Sequence, residues 1–580
     1  MGISGLYGQW LKTKNYTGVI VRDIPKYVSS FSVDFNHIIH KAAGLTYGYN
    51  PPNPERQEYV KKISSSVVEL EFFKQITSLL LEIISLIRPR DLLIIAVDGV
   101  APQAKIQQQR QRRYKAVMSK TADILFDSNS ITPGTEMMVR LDSYLTTWVK
   151  REGCEPKMPK MTIYSGHMTP GEGEHKIMNF IREGVLTGEG SHIIYGLDAD
   201  LIVLSLLAPL ERIYLYKEDS EEVIDIDNLR EAIVHETQNN EGVKDFVFLM
   251  SLVGNDFLPA VVSLKNKKES INEIIRSYTD VGSGIVHDDQ INFDVVREVF
   301  ENLAFHEKDH LYTISNMKTE FPIEAFDTTK TEKGIDMVNF RKRWYDTHME
   351  PKGNSDDIEW LQRRLKTSLV PHYDKVAKTM ADKYILGMAW VFTYYTQGRV
   401  NYSYVYDYFF APLMVDLAKF EIPSVHDYHY DPDIKMFHPF YQLISVIPPA
   451  SQSVLPSDLQ KLYKPTSSIT DMLPIRVLID LQGAPYDERH QKTQDWHGVV
   501  IIPPVDVARV IEAVRNLNIS ESKWIKYSHH DITTSIKPPD LESVEREHRL
   551  LTKSVRQERT KPRGQFEYDP NAWRAVHHLF

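Results

Sequence analysis

Short apolar runs that stop at an acidic residue recur through the first third of the chain. Phe31 to Phe35 carries Asp34 and runs into a helically spaced segment at Asn36, and Leu92 to Val97 ends at Asp98-Gly99. Met161 to Tyr164 precedes a Gly-rich turn with Glu172 and Glu174, and Ile193 to Leu197 precedes Asp198-Ala-Asp200. Runs this short and this apolar, separated by helical stretches, predict strands buried on both faces of a twisted, mainly parallel sheet flanked by helices. Val60 to Ile87 has apolar residues at helical spacing and closes at Arg88-Pro89-Arg90, which predicts the crossover helix between the first two strands. Lys244 to Val253 predicts another helix, stopped by Gly254-Asn255-Asp256. Ligands of open α/β sheets bind beyond the carboxyl ends of the strands, where this chain repeatedly places its acids, so the pattern predicts one acidic crevice.

Periodicity weakens from Tyr312 to Asp357. We therefore divide the chain into a first α/β region over 1–310, a connecting region over 311–365, a mixed, largely helical region over 366–515 and a charged segment over 516–580. Within the third of these, Tyr384 to Tyr395 predicts a helix, Asn401 to Phe410 is rich in Tyr and Phe, and Val499 to Ile502 predicts a strand. A chain of 580 residues is too long for one simple domain. With 68 Lys plus Arg against 78 Asp plus Glu, the net charge of -10 excludes a generally basic nucleic-acid coat, so any cationic site is local. The single cysteine, Cys154, excludes intrachain disulfides and multi-cysteine zinc sites. The longest apolar stretch, Ser78 to Ile87, is about half a membrane span and contains Glu82. The start lacks a secretory core and a myristoylation signal. A monomer without a membrane anchor, in a reducing compartment, is expected. Cytoplasm is the expected location, with the basic run Lys553 to Arg563 leaving the nucleus open.

Glu172-Gly-Glu174 and Asp198-Ala-Asp200 each place two carboxylates at i and i+2. In extended or turning backbone both side chains fall on one side, whereas on a helix they diverge by about 200°. Each pair alone is an ordinary turn or cap. Together with Asp34, Asp98 and Asp256 they make a cluster that would repel itself without cations. Mg²⁺ or Mn²⁺ suits an all-oxygen set, and two such ions about 3.5–4 Å apart can clamp the attacking and leaving oxygens of a phosphodiester. His167 and His175, beside the Glu pair, are expected to orient or pack rather than ligate.

Lys105, Gln109, Arg112 and Arg113 follow the Asp98 strand end and, read as a helix, share an arc of roughly 100°. Two guanidiniums and an ammonium on one face suit a terminal phosphate. A lone basic run is more often a solvated face, but its place beside the acids favours a phosphate reader. His40, Tyr402 and Tyr404 could stack on nucleobases. Ser128 to Glu136 is a turn and helix cap by chemistry, expected to shape the crevice.

Five segments carry a family resemblance: Asp98-Gly-Val-Ala-Pro-Gln-Ala-Lys105 with the Gln/Arg run to Arg113, Phe126 to Glu136, Pro170-Gly-Glu-Gly-Glu-His-Lys176, Tyr195-Gly-Leu-Asp-Ala-Asp200 and Leu252-Val-Gly-Asn-Asp-Phe-Leu-Pro259. They resemble the Xrn-type 5′→3′ exoribonucleases. The resemblance resumes at Trp390 to Tyr395, Ala411-Pro-Leu, Pro439 to Leu443 and Trp496 to Val500, the family's second conserved region. It implies a PIN-like 5′-nuclease core and a processive exonuclease that uses two Mg²⁺ or Mn²⁺ ions. The implied substrate is single-stranded RNA with a 5′-monophosphate, degraded to nucleoside 5′-monophosphates, with decapping or pyrophosphohydrolase activity upstream. Carried over by position, the metal site falls on Asp34, Asp98, Glu172, Glu174, Asp198, Asp200 and Asp256, the phosphate pocket on Lys105, Gln109, Arg112 and Arg113, and the first stacking group on His40. Where the family has a Ser-Trp-x-Trp segment, this chain has Asn401-Tyr402-Ser403-Tyr404, and Asp407 and Phe409 replace the usual Pro and His. The chain stops soon after the second region, which leads us to expect a compact member of reduced or viral origin. The rival readings are a structure-specific 5′ flap nuclease on DNA and a non-catalytic RNA 5′-end-binding protein.

Overall fold

The computed structural model describes residues 3, 5–118, 125–153, 155, 157–186, 189–196, 198–265, 267–348, 373–428, 436–487, 491–494, 497–527 and 532–536. Cys154, Leu197, Trp496, the basic run Lys553 to Arg563 and part of the connecting region lie outside these residues.

An eight-stranded sheet organises the first region. Its strands are β1 (Ile20–Val21), β2 (Val28–Asp34), β3 (Leu92–Ala96), β4 (Met161–Ser165), β5 (Ser191–Tyr195), β6 (Ile213–Lys217), β7 (Glu222–Asp225) and, from the far end of the chain, β8 (Thr533–Ile536). They lie in the order β1-β7-β6-β5-β2-β3-β4-β8. The central strands β6-β5-β2-β3-β4 are parallel, and the outer pairings are antiparallel. The chain winds outward from β2 through β3 to β4, then returns to place β5 on the other side of β2. The reversal between β2 and β5 is the switch point at which such sheets open a crevice.

Burial on both faces follows from the side-chain alternation of a strand. Leu93 and Ile95 enter a core with Phe72, Ile76 and Met138. Their neighbours Ile94 and Ala96 enter the opposite core with Ile177, Ile202 and Phe248. The helices that supply these layers and carry the site are α1 (Asn36–Tyr47), α2 (Ser65–Ile87), α3 (Gln103–Met118), α4 (Glu136–Glu152), α5 (Gly173–Arg182), α6 (Asp200–Leu207), α7 (Gly242–Leu249), α8 (Tyr373–Gln397) and α9 (Pro439–Val446).

The predicted crossover helix is two helices. Pro54–Lys62 is capped by the Asn53 side chain, Ile63 is extended, and α2 then runs to Arg88, whose φ of 55° and following Pro89 end it as expected. The Lys244 to Val253 helix is α7 followed by a 3-10 turn over Met250–Val253, stopped at Gly254 with φ 85°. The predicted strand at Val499 is present as Val499–Ile501, paired antiparallel with Leu478–Asp480.

Helix α8 extends the predicted Tyr384 to Tyr395 segment at both ends, and that segment is buried almost throughout. It packs on α6 and α7, while α9 packs on α3. The guanidinium of Arg110, fully buried on α3, donates to the carbonyls of Ser445 and Met472 and ties the regions together. The segment over 516–580 is not wholly a separate charged tail: β8 pairs with β4 from Thr533↔Tyr164 to Ile536↔Met161 and covers the edge of the nuclease-region sheet. No helix among the described residues is long and apolar enough to cross a membrane.

Candidate metal centre and its basic rim

The register of the parallel strands sets their carboxyl ends level: Asp34 pairs with Ala96, and Ala96 with Ser165. Beyond those ends two loops clasp. Gly99 N–H donates to Gly171 O and Gly171 N–H to Val100 O, both at 2.8 Å. A Cβ on Gly99 would stand 1.9 Å from the Thr169 carbonyl oxygen, so glycine is required for the approach. The buried Lys176 ammonium donates to Val97 O at 2.6 Å and Gly166 O at 2.8 Å, holding the same two strand ends.

This clasp carries Glu172 and Glu174 to Asp98. Gly173 N–H donates to Asp98 Oδ1 at 2.7 Å and Asn36 Nδ2 donates to Asp98 Oδ2 at 2.7 Å. The extended or turning backbone expected at the acid pairs takes the form of two helix starts. Glu172 is the N-cap of α5 with Glu174 in its first turn, and Asp200 is the first residue of α6 with Asp198 just before it. A helix start presents unpaired N–H groups and the positive end of the macrodipole, which favour carboxylates. Asp256 is presented by a turn in which the Asn255 side chain accepts the N–H groups of Phe257 at 2.9 Å and Leu258 at 2.8 Å.

All seven predicted acids enter one electrostatic cluster. Burial, then the charges of Asp98 and Asp198, pushes the Asp34 carboxyl well above the usual range. Burial also raises Glu174, against the opposing pull of Lys105 and with Asp200 and Glu172 adding to the rise. Asp200 is pushed up to about 7 by burial and then by Asp256. Asp34 Oδ1 is buried with no hydrogen-bond partner. An orphaned buried oxygen within an all-oxygen donor set fits a hard divalent cation. Oxygen atoms of Glu172 and Glu174 and a ring nitrogen of His175 lie within 4.8 Å of one another. Burial holds His175 well below its usual pKa and therefore neutral, and its ring stacks on Tyr394 with centroids 3.7 Å apart. That packing role matches the expectation for His175. His167 Nδ1 stands 3.6 Å from Asp142 Oδ1, outside the acid cluster.

Lys105 corrects the expected basic face. Its ammonium lies 2.5 Å from Glu172 Oε2 and 2.9 Å from Asp256 Oδ2. Burial alone would depress it, but Asp256 and Glu172 outweigh that and hold it well above its ordinary pKa. Gln109 is likewise buried and accepts from Gln442 Nε2 at 3.2 Å. The rim itself is left to Arg112, which is exposed, and Arg113. Arg113 donates to Thr132 Oγ1 at 2.5 Å and Asn129 Oδ1 at 3.2 Å, both in the turn expected to shape the crevice. Burial, then Arg112, pulls Arg113 down to about 9. Arg112 acts electrostatically on Asp256, and Asp98 on Arg113, so the rim borders the acids. His40, on α1, is exposed beside them, close enough for both guanidiniums to act on its ring.

Tyr402 presents no free face for a base, and one face of Tyr404 is taken by Trp390. Tyr402 is buried and its carbonyl accepts Gln103 N–H at 2.8 Å. Tyr404 stacks on Trp390 with centroids 5.1 Å apart, and its hydroxyl donates to Lys383 O at 3.3 Å. The aromatic stretch folds back on α8 because apolar rings gain more by packing than by facing water. The sequence reading missed two residues at the centre itself. Tyr394 Oη donates to Glu172 Oε1 at 3.0 Å and Tyr395 Oη to Asp200 Oδ1 at 2.9 Å. The signals for them were a Tyr pair at the end of an apolar helix and their place in the Trp390 to Tyr395 segment that carries the family resemblance.

Residues 1–219 match the XRN 5′-3′ exonuclease N-terminus, and residues 237–370 and 359–523 match the Xrn1 helical domain. The chain is similar to 5′-3′ exoribonuclease 1 of Homo sapiens, 26% identical over 86% of this chain and 33% of that protein. Against 5′-3′ exoribonuclease 1 of Saccharomyces cerevisiae the identity is 26%, over 85% of this chain and 41% of that protein. Against the 5′-3′ exoribonuclease 2 homolog of Drosophila melanogaster it is 25%, over 83% and 65%. The chain thus spans between a third and two thirds of the length of these curated relatives. With the matched regions covering both the strand-end acids and the helix that braces them, the chain belongs to the Xrn family of 5′→3′ exonucleases.

Proposed function

We propose that this chain is a metal-dependent, processive 5′→3′ exoribonuclease that removes nucleoside 5′-monophosphates from single-stranded RNA bearing a 5′-monophosphate. The observation that carries the reading is the convergence of acids from the ends of β2 to β5 and from the Asp256 turn, bordered by the Arg112/Arg113 rim. Mg²⁺ or Mn²⁺, two ions held among Asp34, Asp98, Glu172, Glu174, Asp198, Asp200 and Asp256, would supply an acidified water and charge neutralisation at the scissile phosphate.

The chain's own residues do the rest. Forked guanidiniums at Arg112 and Arg113 match the oxygens of a terminal phosphate and set its distance from the acids. Asn129 and Thr132 hold Arg113 in place. The exposed His40 ring offers a π-face for the first base, a sequence-tolerant contact. Each cleavage leaves a new 5′-monophosphate, so the same rim can accept the shortened strand after a one-nucleotide shift.

The test is a time course with Mg²⁺ on 5′-monophosphate, 5′-triphosphate and 5′-hydroxyl RNA, with a flapped DNA duplex alongside. Rapid decay of the monophosphate RNA alone is the expected result. Equal decay of all three RNAs defeats the phosphate rim, and cutting at the flap junction favours the DNA nuclease.

A further inference from the structure

We infer that Tyr394 and Tyr395 are positioning residues of the metal centre, by which the second region fixes the carboxylates of the first. The inference rests on the metal reading above and deepens it. Both tyrosines sit on α8, more than 190 residues downstream of the acids they touch, and both are 1% exposed. Each hydroxyl donates to one oxygen of a carboxylate: Tyr394 to Glu172 Oε1 and Tyr395 to Asp200 Oδ1. Glu172 and Asp200 belong to different strand ends, so adjacent residues of one helix set the spacing of two acids that would otherwise repel. The His175 ring, 3.7 Å from Tyr394 and inclined by 18°, forms a plate that fixes the Tyr394 ring. Higher on the same helix, the Tyr384 hydroxyl donates to the carbonyls of Ser251 at 3.2 Å and Pro259 at 2.8 Å, bracketing the turn that carries Asp256. One helix therefore contacts three of the separate segments that supply acids.

A neutral hydroxyl is suited to this role. It binds one carboxylate oxygen without bringing a charge that would compete with a cation, and it aims the other oxygen. Buried polar partners that orient ligands in this way typically set metal affinity by about 10–100-fold.

The experiment is Mn²⁺ binding to the full chain, followed by the electron paramagnetic resonance of free Mn²⁺, for wild type, Tyr394→Phe, Tyr395→Phe and Tyr278→Phe. Tyr278 is the control: its hydroxyl donates to a buried carboxylate, Asp245, at 2.6 Å, away from the acid cluster. Weakening of Mn²⁺ binding by about 10-fold in both α8 variants but not in Tyr278→Phe, with thermal melts in chelator changed no more than in the control, is the expected result. Unchanged Mn²⁺ affinity in both α8 variants overturns the inference. So does weakening that appears equally in Tyr278→Phe or that tracks lost thermal stability. Failure of wild type to bind Mn²⁺ would instead remove the metal reading on which the inference rests.

Discussion

The Lys105 ammonium lies 2.5 Å from Glu172 Oε2, and both side chains are more than nine-tenths buried. A buried ammonium among carboxylates is the chain's own counter-ion, and removing it leaves unpaired buried charge. Lys105→Met should therefore destabilise the metal-free protein by on the order of 3 kcal/mol. Divalent cation should recover most of that loss, because it neutralises the same acids. Thermal melts in chelator and in Mg²⁺ read both effects. Equal melting of variant and wild type in chelator would show that the ammonium is not balancing the cluster.

The contribution of the acid cluster to the pH response of the metal-free chain should run opposite to the usual acid denaturation. Asp200 titrates at about 7 in the folded protein, through burial and Asp256, against an unfolded value of about 4. Between those values the folded state binds more protons, so this group's contribution to stability falls as pH rises through the window and is recovered as pH falls. A bound cation displaces the proton. The melting temperature in chelator should rise from pH about 8 to about 6 relative to that in Mn²⁺, and Mn²⁺ binding should release protons, measured by titration calorimetry in two buffers. Binding without proton release would contradict the raised acids.

Arg113 combines a fork with fixed neighbours. Arg113→Lys keeps the charge but loses the paired N–H geometry and the hold from Asn129 and Thr132. The preference for 5′-monophosphate over 5′-hydroxyl RNA, as kcat/KM, should fall by about 10–100-fold, the worth of one hydrogen bond to a charged group. A preserved preference would place the phosphate elsewhere.

Gly173 seats the start of α5 against β2 and β3. A Cβ there would stand 2.6 Å from Asp34 Oδ1 and 2.9 Å from Ala96 O, so Gly173→Ala must displace the Asp34 carboxyl or the strand end. Mn²⁺ affinity should fall by about 10-fold or more while the far-UV circular dichroism stays unchanged. Wild-type affinity would mean that α5 can shift without disturbing Asp34.

The strands and the acids were legible in the sequence because each depends on local pattern. Phe31, Val33, Leu93 and Ile95 alternate with residues buried on the other face, which only a strand covered on both sides requires, and the acids fall where those runs end. The split at Ile63 was not legible, since helical spacing of apolar residues continues through it while the backbone turns. The shared face of Lys105, Gln109, Arg112 and Arg113 was correct as helix geometry and wrong as environment for Lys105 and Gln109. Helical angle says which side chains lie together but not what packs against them. Here acids take Lys105, and α9 covers Gln109.

The sequence by itself determined the mainly parallel α/β core, the seven acids at or near its strand ends and the family to which the motifs belong, because these rest on spacing within short segments. Only the tertiary structure decided that Tyr394 and Tyr395 hold two of those acids, that Tyr402 and Tyr404 pack inward, and that Thr533–Ile536 closes the sheet edge. Each of those facts joins residues more than a hundred positions apart or depends on which surface a side chain meets. Burial and hydrogen bonding over such distances are set by the packing of whole layers, which no local pattern encodes.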